Sequence, residues 1–357
     1  MRIIAHLDMD AFFAAIEERD TPRFQGLPIV VGADPQDGTG RGVVPTANYK
    51  AREYGIRSAV PISRAWRLSE AARQRGKPPV TFLRVNMDKY RLVSGRVMDI
   101  LRRFAPTVEE AGIDEAFLDL TYTASFEKAQ TVSREIKQAI TAEERLSASI
   151  GLGPNKLVAK IASDRQKPDG LTIVREEDTQ AFLASLPVRR IPGIGPKTEL
   201  AFAREGVRLI SDLKRFSRHE LQERLGKRGL DVYDRARAQD ETPVEAASET
   251  KSISEQETFA QDSLESGFIA ERLKSMCESL CSRLLEGGLS AFRTVTVTVR
   301  FADFKTCSRS HTMSEAAGSS TILEFEALKL LMPFLDSRQN PQSKLIRLIG
   351  LRIEKLE

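Results

Sequence analysis

Residues 2–20 read RIIAHLDMDAFFAAIEERD, in which a short apolar run of strand type ends in acids and a helical pattern follows. Asp8 and Asp10 therefore lie at a strand end or just after it. A second acidic pair, Asp114 and Glu115, lies at the join of a hairpin-like stretch, VEEAGIDEAFLDLT. The two stretches together predict a sheet that brings carboxylates from separate strand ends close to one another.

Carboxylates at strand ends have a structural explanation as well as a chemical one. Taken alone, each acidic pair is typical of a helix cap or a turn. Taken together, Asp8, Asp114 and Glu115 form a set that can hold two hard divalent cations about 4 Å apart for in-line phosphoryl transfer. Oxygen ligands favour Mg²⁺, with Mn²⁺ as the alternative, and the lack of clustered His or Cys in the sequence argues against zinc.

Groups with the right chemistry for phosphate follow the first acidic stretch. Thr46, Tyr49 and Arg52 lie close together in the sequence. An arginine can bind two phosphate oxygens at once, and each hydroxyl can donate one hydrogen bond. A helix with a threonine cap and an ordinary surface arginine is the alternative explanation.

The turn PGIGPK, which contains Gly193, Gly195 and Lys197, has the form of a helix-hairpin-helix loop. Its glycines let backbone N–H groups approach a phosphate, with a helix N-terminus behind them. Such a loop binds DNA without reading its sequence. The same letters occur in ordinary turns, so both explanations stay open for this stretch alone.

The bulk composition limits the classes of protein that remain open. The chain has 357 residues, of which 41% are hydrophobic and 29% are charged, and this length predicts about two to four compact units. The net charge of +4 favours a polyanionic partner, although many proteins of such charge never bind nucleic acid. The sequence has no membrane-spanning apolar run and no signal-peptide pattern, so we expect a soluble, cytoplasmic protein.

The cysteines and histidines give no sign of a metal or disulfide site. Cys277 and Cys281 are in register with the leucines of a helical pattern, and we expect them to pack in a core. The three histidines, His6, His219 and His311, have no ligand spacing between them.

The order of the predicted elements indicates a multidomain α+β protein. Strands and helices alternate up to about residue 173 without a strict repeat, which is typical of a mixed sheet flanked by helices. Only short helices are predicted after that point, and the polar stretch AASETKSISEQE is predicted to link two domains. The remainder, which contains the alternating strand TVTVTVR, is predicted to be a small α+β domain.

Five strings occur in order along the chain: HLDMDAFFAAIEERD, VVPTANYKAREYGIRS, GIDEAFLDLT, SIGLGPNKLVAKIASDRQKPDGL and IPGIGPKT. Together they resemble the DNA polymerase IV (DinB-type) branch of the Y-family DNA polymerases. Further along, KSISEQETF and TVTVTVRF resemble the little-finger domain of that family less specifically. The resemblance implies template-directed, low-fidelity translesion DNA synthesis, in which deoxynucleotides are added to a primer 3′-end.

The resemblance also implies roles for individual residues. It implies metal ligands at Asp8, Asp114, Glu115 and the backbone carbonyl of Met9, and triphosphate contacts at Thr46, Tyr49, Arg52 and Lys167. Phe13 matches the steric gate, a bulky ring that excludes a ribose 2′-hydroxyl, and Phe12 and Phe13 would offer backbone N–H groups to phosphate. Core packing on an amphipathic helix is the alternative for Phe13. Asp10 is an acid usual in this motif, and no catalytic role is assigned to it.

The implied fold is the right hand of a polymerase. Its predicted parts are a palm (1–10 and 80–173), small fingers (11–79), a helix-hairpin-helix thumb (174–242), a linker (243–249) and an α+β little finger (250–357). The predicted DNA contacts are Gly193, Gly195, Lys197, Thr296, Thr298 and Arg300. In the little finger, Thr294, Thr296, Thr298 and Arg300 are expected to be exposed and to alternate with buried valines.

The expected partners are primer–template DNA, deoxynucleoside triphosphates and a sliding clamp, bound by a monomeric enzyme. Two other functions stay open: a non-catalytic DNA-damage scaffold of the same family, and another two-metal phosphoryl transferase such as a nucleotide cyclase. Loss of the carboxylates would mark the scaffold, and the helix-hairpin-helix turn argues against the cyclase. The final residues IEKLE lack an apolar clamp-docking peptide, so clamp binding would be internal or weak, or the chain is cut short.

A few positions depart from the family pattern. Gly112 stands where serine is usual, so a local hydrogen bond is expected to be missing. Pro45 stands at a position that is usually small and flexible, which is expected to alter the fingers near the nascent base pair. The stretch AARQRGKPP is slightly longer than usual between the predicted fingers and palm.

Overall fold

Strands and helices alternate through the first part of the chain, as predicted. A computed structural model of the protein describes residues 1–246 and 249–357, and the chain divides into two units, Met1–Ala247 and Ser248–Glu357. The elements of the first unit are β1 (Ile4–Met9), α1 (Phe12–Asp20), β2 (Ile29–Gly32), β3 (Thr46–Ala47), α2 (Tyr49–Arg52), α3 (Ile62–Arg73), β4 (Thr81–Arg84), α4 (Met87–Phe104), β5 (Val108–Glu110), β6 (Glu115–Asp119), α5 (Phe126–Glu144), β7 (Ala148–Gly153), α6 (Lys156–Ser163), β8 (Leu171–Ile173), α7 (Thr179–Ala184), α8 (Pro196–Arg204), α9 (Arg218–Leu225) and α10 (Lys227–Ala236).

The larger sheet of the first unit has the strand order β5-β6-β1-β7-β8. β1 lies in the middle and pairs antiparallel with β6 and β7, whereas β8 runs parallel to β7. Helices α4 and α5 contribute buried side chains to the core at this sheet. Helix α6 approaches β7 so closely that a Cβ on Gly151 would lie 2.2 Å from the Ala159 carbonyl oxygen. The central strand is therefore held along both edges, which fixes the end that carries Asp8 and Met9.

A smaller sheet with the order β3-β2-β4 corresponds to the predicted fingers. Its third strand, Thr81–Arg84, pairs in parallel with Ile29–Gly32. This differs from the predicted division at residues 79 and 80, which assigned the strand to the palm. The physical reason is local packing, because Val80 and Phe82 join the apolar core of the smaller sheet.

Short helices follow β8, in agreement with the sequence pattern. Helices α7 to α10 are joined by turns, and their buried side chains form a core of their own that also includes residues of α6. Leu157, Val158, Ile161 and Ala162 are the α6 residues that enter this core. The helical segment is thus anchored on the helix that lies beside β1 and β7.

The predicted linker at residues 243–249 is partly packed on the first unit. Val244 is buried with Ile4 and Phe117, and the Glu245 N–H donates to a Glu109 carboxylate oxygen at 3.0 Å. Residues 247 and 248 of the predicted linker lie outside the described residues. The second half of the polar stretch is not linker, as its residues from 252 onward begin a long strand.

The second unit has a four-stranded antiparallel sheet with the order β11-β10-β12-β9. Its elements are β9 (Ser252–Ser263), α11 (Ser266–Glu286), β10 (Phe292–Phe301), β11 (Thr306–Ala317), α12 (Ser320–Leu335) and β12 (Ile346–Leu356). The strand β9 reads as polar because it is at the sheet edge, where only Ile253 and Phe259 are buried. The small α+β domain predicted from the sequence is therefore present.

The apolar face of this second sheet packs with α11 and α12. Cys277 and Cys281 of α11 are buried in that core, which confirms their predicted packing role. Burial raises the pKa of the Cys277 thiol to about 12. Both cysteines therefore act as small apolar core residues.

Strand β10 shows the predicted alternation with one exception. Val297 and Val299 are fully buried, and the side chains of Thr298 and Arg300 between and beside them are half-exposed. Thr294 was predicted to be exposed, and this is wrong: its exposed fraction is 8%. The neighbouring strand covers it, because its hydroxyl pairs with that of Thr312 at 2.9 Å.

Candidate active site

The backbone pairing of β1 and β6 brings the predicted carboxylates together. Asp8 lies directly opposite Glu115 in the antiparallel register. One residue further along, the Met9 N–H donates to the Asp114 carbonyl oxygen at 2.9 Å. The hairpin between β5 and β6 is thus tied to the end of the central strand, and all three acidic residues lie at the same end of the paired strands β1 and β6.

Lysines from the α6 region lie on these carboxylates. The Lys167 Nζ is 2.7 Å from the Asp8 Oδ2 and 3.0 Å from the Asp164 Oδ1. The Lys160 ammonium group pairs with Glu115. The positive charges of these lysines partly balance the negative charge of the carboxylates that lie close together at the strand ends.

His6 adds a further contact beneath the site. Its side chain is almost fully buried, with Nδ1 at 2.8 Å from the Ser163 hydroxyl and Nε2 at 3.2 Å from Glu115. Burial lowers the pKa of His6, which favours a neutral ring at neutral pH. His6 therefore packs beside the site. The spacing of the three histidines in the sequence does not indicate this position.

The surroundings of Asp8, Asp114 and Glu115 shift the pKa values of these acids in different directions. Burial raises the pKa of Asp8, although Lys167 acts in the opposite direction. Burial and the neighbouring charge of Glu115 raise the pKa of Asp114. The contact with His6 and the charge of Lys160 lower the pKa of Glu115 to about 2.

The donor set fits a hard divalent cation. It consists of carboxylate oxygens at adjacent strand positions, and burial makes their negative charge costly until a cation balances it. Within residues 1–246 and 249–357, no group of three His, Cys, Asp or Glu side chains is already arranged as a metal site. Lys160 and Lys167 each pair with one carboxylate of this set, Glu115 and Asp8 respectively.

The residues predicted to bind phosphate lie on and beside the short helix α2. Thr46 is buried in β3, and the helix cap is Asn48, whose side chain accepts the Ala51 N–H at 3.0 Å. The alternative of a threonine cap is therefore wrong. The Arg52 guanidinium lies 4.5 Å from the centre of the Tyr49 ring, which is a cation–π contact that presents the charge at the helix end.

The hydroxyl of Tyr49 reaches the end of β1. It donates to the Asp10 Oδ1 at 3.2 Å. Burial and the Asp10 carboxylate raise the pKa of Tyr49, which keeps the phenol protonated. Tyr49 therefore contacts Asp10, and Lys167 contacts Asp8. Both predicted phosphate ligands thus lie near the same end of β1.

The predicted gate residue begins the first helix. Ala11 adopts the left-handed conformation with φ of 47°, and α1 starts at the next residue. The first N–H groups of a helix have no partner within it, so those of Phe12 and Phe13 are available to a ligand. Phe12 and Phe13 both belong to the core at this sheet, and Phe13, which is 8% exposed, stacks its ring on Tyr90 at a centroid distance of 4.2 Å.

Tyr90 was missed by the sequence reasoning. It is fully buried on α4, and its hydroxyl donates to the Glu17 carboxylate at 2.8 Å. The amphipathic pattern of α4 marks it as a core residue, and nothing in the letters shows which ring it contacts. The stack with Phe13 fixes the orientation of the predicted gate.

The helix-hairpin-helix turn has the predicted local form. Gly193 has a φ of +94°, a region that glycine enters without strain. Gly195 is the N-cap of α8, and Pro196 is the first residue of that helix. Gly193, Gly195 and Lys197 are exposed, whereas Ile194 between them is buried.

Comparison with known protein families decides among the functions left open. Residues 7–164 match the model of the impB/mucB/samB family, and residues 250–357 match the model of that family's C-terminal domain. Residues 176–202 match the IMS family HHH motif.

Named relatives match along the whole chain. DNA polymerase IV 2 of Methanosarcina mazei is 41% identical over 99% of this chain and 92% of its own length. DNA polymerase IV of Methanoculleus marisnigri is 42% identical over 100% of this chain and 95% of its own length. The chain belongs to the Y family of DNA polymerases. Within that family it falls in the DNA polymerase IV branch, as the sequence motifs predicted.

Solved structures of the family agree with the fold. A chimera of the Y-family DNA polymerases Dbh and Dpo4 matches with a TM-score of 0.88 and 28% identity, over 99% of both chains. An insertion ternary complex of Dbh DNA polymerase matches with a TM-score of 0.69 and 27% identity, over 99% of this chain and 98% of that one. The multidomain α+β polymerase fold with its helix-hairpin-helix motif is confirmed.

The family match settles the reaction class. The protein is a DNA-directed DNA polymerase that carries out translesion synthesis. The alternative function of a non-catalytic scaffold is not supported. Enzymes of this family use divalent metal ions. Among the described residues, no helix combines the length and the apolar character that crossing a membrane requires.

Proposed function

We propose that the polymerase reaction takes place at the strand ends that carry Asp8, Asp114 and Glu115. The observation that carries the proposal is the pairing of β1 with β6, which sets Asp8 opposite Glu115 and bonds Met9 to Asp114. Two Mg²⁺ ions, with Mn²⁺ as the alternative, would be held by these carboxylates and the Met9 carbonyl. When bound, the ions supply charge neutralisation and alignment for in-line transfer.

The chain's own cations bind and orient the triphosphate in this proposal. Arg52 is presented on the Tyr49 ring, and Lys167 lies at the end of β1. Thr46, buried beside α2, adds a hydroxyl. Because the Lys167 ammonium pairs with Asp8, phosphate oxygens of the triphosphate would compete with this carboxylate oxygen for the ammonium group.

The selection of deoxyribose is assigned to Phe13. Its ring is packed on Tyr90, and the residue as a whole is 8% exposed. A ring held in this way cannot move aside for a 2′-hydroxyl without breaking the stack. The N–H groups of Phe12 and Phe13 at the start of α1 would face phosphate.

Primer–template DNA is proposed to contact both units through phosphates. In the first unit the contacts are the exposed turn residues Gly193, Gly195 and Lys197. In the second unit they are the half-exposed Thr296, Thr298 and Arg300 of β10. Contacts of these kinds bind without reading bases. A sliding-clamp partner and a monomeric state stay predictions.

Primer extension on undamaged and abasic templates tests the proposal. With Mg²⁺ the protein should add deoxynucleotides on both templates and release pyrophosphate. Chelation of the metal should stop extension while primer–template binding, followed by fluorescence anisotropy, stays within about twofold, because the proposed DNA contacts are to protein groups. Extension that continues at full rate with excess chelator would contradict the metal assignment.

A further inference from the structure

We propose that Asp10 is a positioning residue that joins the two halves of the nucleotide site. It would hold Tyr49 on one side and the loop that carries Lys167 on the other. The inference rests on the proposed function, in which Tyr49, Arg52 and Lys167 serve the triphosphate. Asp10 follows β1 directly, and its exposed fraction is only 3%.

Neutral donors surround the Asp10 carboxylate on both oxygens. Oδ1 accepts from the Tyr49 hydroxyl at 3.2 Å and from the Ser149 hydroxyl at 2.9 Å. Oδ2 accepts from the Ser147 hydroxyl at 2.9 Å and from the Asp169 N–H at 2.8 Å. A carboxylate engaged by these donors has little capacity left for a metal ion. Its contacts therefore indicate a role in positioning.

The first arm of this arrangement holds the arginine. A phenol has one proton, and Tyr49 donates it to Asp10. Tyr49 then serves the triphosphate mainly through its ring, which carries the Arg52 guanidinium at 4.5 Å. A second bond from the Arg52 Nε to the Ala47 carbonyl oxygen at 2.9 Å completes the placement.

The second arm holds the lysine. Asp169, whose N–H bonds to Asp10, is two residues after Lys167 and precedes Gly170. The Gly170 N–H donates to the Ser149 hydroxyl at 3.2 Å, and that hydroxyl in turn donates to Asp10. Asp10 therefore anchors the loop directly and through Ser149. Loss of these hydrogen bonds would free the backbone that determines the position of Lys167.

The test replaces the carboxylate with the amide in Asp10→Asn. The asparagine keeps the shape and one acceptor oxygen, but it replaces the other oxygen with an N–H₂ group that cannot accept, so one arm loses its acceptor and both arms lose the carboxylate charge. We expect the KM for the incoming dNTP to rise about tenfold or more, which corresponds to about 1.4 kcal/mol for each factor of ten. The kcat should fall by less than about threefold and the Kd for primer–template should stay within about twofold, because neither the metal ligands nor the DNA contacts change.

A double-mutant cycle shows whether Asp10 acts through the proposed arms. Tyr49→Phe removes only the hydroxyl, and Lys167→Ala removes the cation. If Asp10 acts through them, Asp10→Asn should add less than about threefold to the KM in the Tyr49→Phe, Lys167→Ala background. The full tenfold effect in that background, or an unchanged KM in Asp10→Asn itself, would overturn the proposal.

A second pair of variants covers the case in which Asp10→Asn does not fold. Ser149→Ala removes one donor to Asp10 and the acceptor of the Gly170 N–H, and should raise the KM for dNTP several-fold, about three to five. The matched control is Ser133→Ala, an equally buried serine whose hydroxyl donates to the Ala129 carbonyl oxygen within α5, and its KM should not change. Equal KM values for the two variants would overturn the inference.

The failure of this inference is distinguishable from failure of the proposed function. If Asp114→Asn extends primers normally, the catalytic assignment is wrong. If Asp114→Asn is inactive while Asp10→Asn keeps the wild-type KM, only the role of Asp10 is wrong. Circular dichroism melts of all variants show that each comparison is made between folded proteins.

Discussion

The strand ends of the five-stranded sheet and the outer face of β10 would both meet polyanions, but they are built differently. At the strand ends, charged groups such as Asp8 and Lys167 are partly buried and held in pairs 2.7 Å apart. On β10, short hydroxyl side chains pair across strands, as Thr298 does with Ser308 at 2.8 Å. Catalysis requires charged groups held at fixed positions, whereas DNA binding can rely on many weak contacts to phosphates.

The difference predicts how each region responds to substitution. A change at the strand ends should act on the reaction with little effect on DNA affinity. A change on the outer face of β10 should act on DNA affinity with little effect on the reaction. Substitutions of buried residues that underlie either region should lower the free energy of unfolding.

The largest effect on the choice of substrate is expected at the sugar gate. Phe13→Ala removes the ring that would overlap a ribose 2′-oxygen, and such an overlap costs a few kcal/mol when it cannot relax, about a hundredfold in rate. The ratio of kcat/KM for dATP to that for ATP should therefore fall about a hundredfold. Phe24→Ala, a partly buried ring packed against the same core, is the control and should keep the ratio. An unchanged ratio in Phe13→Ala would mean that Phe13 is only a core residue.

The next effect concerns the two faces of β10. Val297→Ala leaves a cavity in the fully buried core and should lower the free energy of unfolding by about 1–3 kcal/mol in urea titration. Thr298→Val on the outer face keeps the size and should change it by less than about 0.5 kcal/mol. Equal losses in the two variants would contradict the assignment of inner and outer faces.

A smaller effect is expected for DNA binding. Arg300→Ala should raise the Kd for primer–template several-fold and reduce the slope of log Kd against log salt by about one. Single-turnover incorporation at saturating DNA should stay unchanged. Arg338→Ala removes an exposed arginine that pairs with Asp336 and serves as the control. The same salt dependence in Arg300→Ala and in the wild type would show that Arg300 does not contact phosphate.

The smallest effect links the site to stability. The pKa of Asp114 is raised in the folded protein, so its ionised form costs stability at neutral pH in metal-free buffer. Asp114→Asn should therefore raise the Tm slightly at pH 7. The gain should disappear as the pH falls below the pKa of the unfolded carboxyl, because both states are then protonated. A lower Tm for the variant at pH 7 would show that the charge is stabilising.

Much of the fold followed from sequence patterns because those patterns are local. The periodicity of MDKYRLVSGRVMDILRRF predicts a helix, and α4 spans the same residues. The alternation of TVTVTVR predicts a strand with one buried face, and β10 has it. The influence of a strand's place in the sheet was harder to predict. Thr294, on an interior strand, pairs with Thr312 of the adjacent strand, and the polar edge strand β9 resembles a linker in its sequence.

The candidate site was predictable in its residue types and less so in its contacts. Asp8 and Glu115 could be paired by the acidic pattern and the family resemblance. The contacts of Asp10 with Tyr49 and Asp169 join segments far apart in sequence, and no spacing rule predicts them. The parallel pairing of Thr81–Arg84 with Ile29–Gly32 is non-local in the same way. Long-range pairing is set by packing, which the letters of one segment do not contain.

The most direct test of the account compares two substitutions on one hairpin. Asp114→Asn removes a proposed metal ligand, whereas Glu110→Gln removes an exposed carboxylate at the end of β5 that pairs with Arg102 of α4. In single-turnover primer extension with Mg²⁺, we expect Asp114→Asn to lose about a thousandfold or more in rate while its DNA affinity is kept. Glu110→Gln should match the wild type. Wild-type rates in Asp114→Asn would contradict the assignment of the catalytic centre to these strand ends.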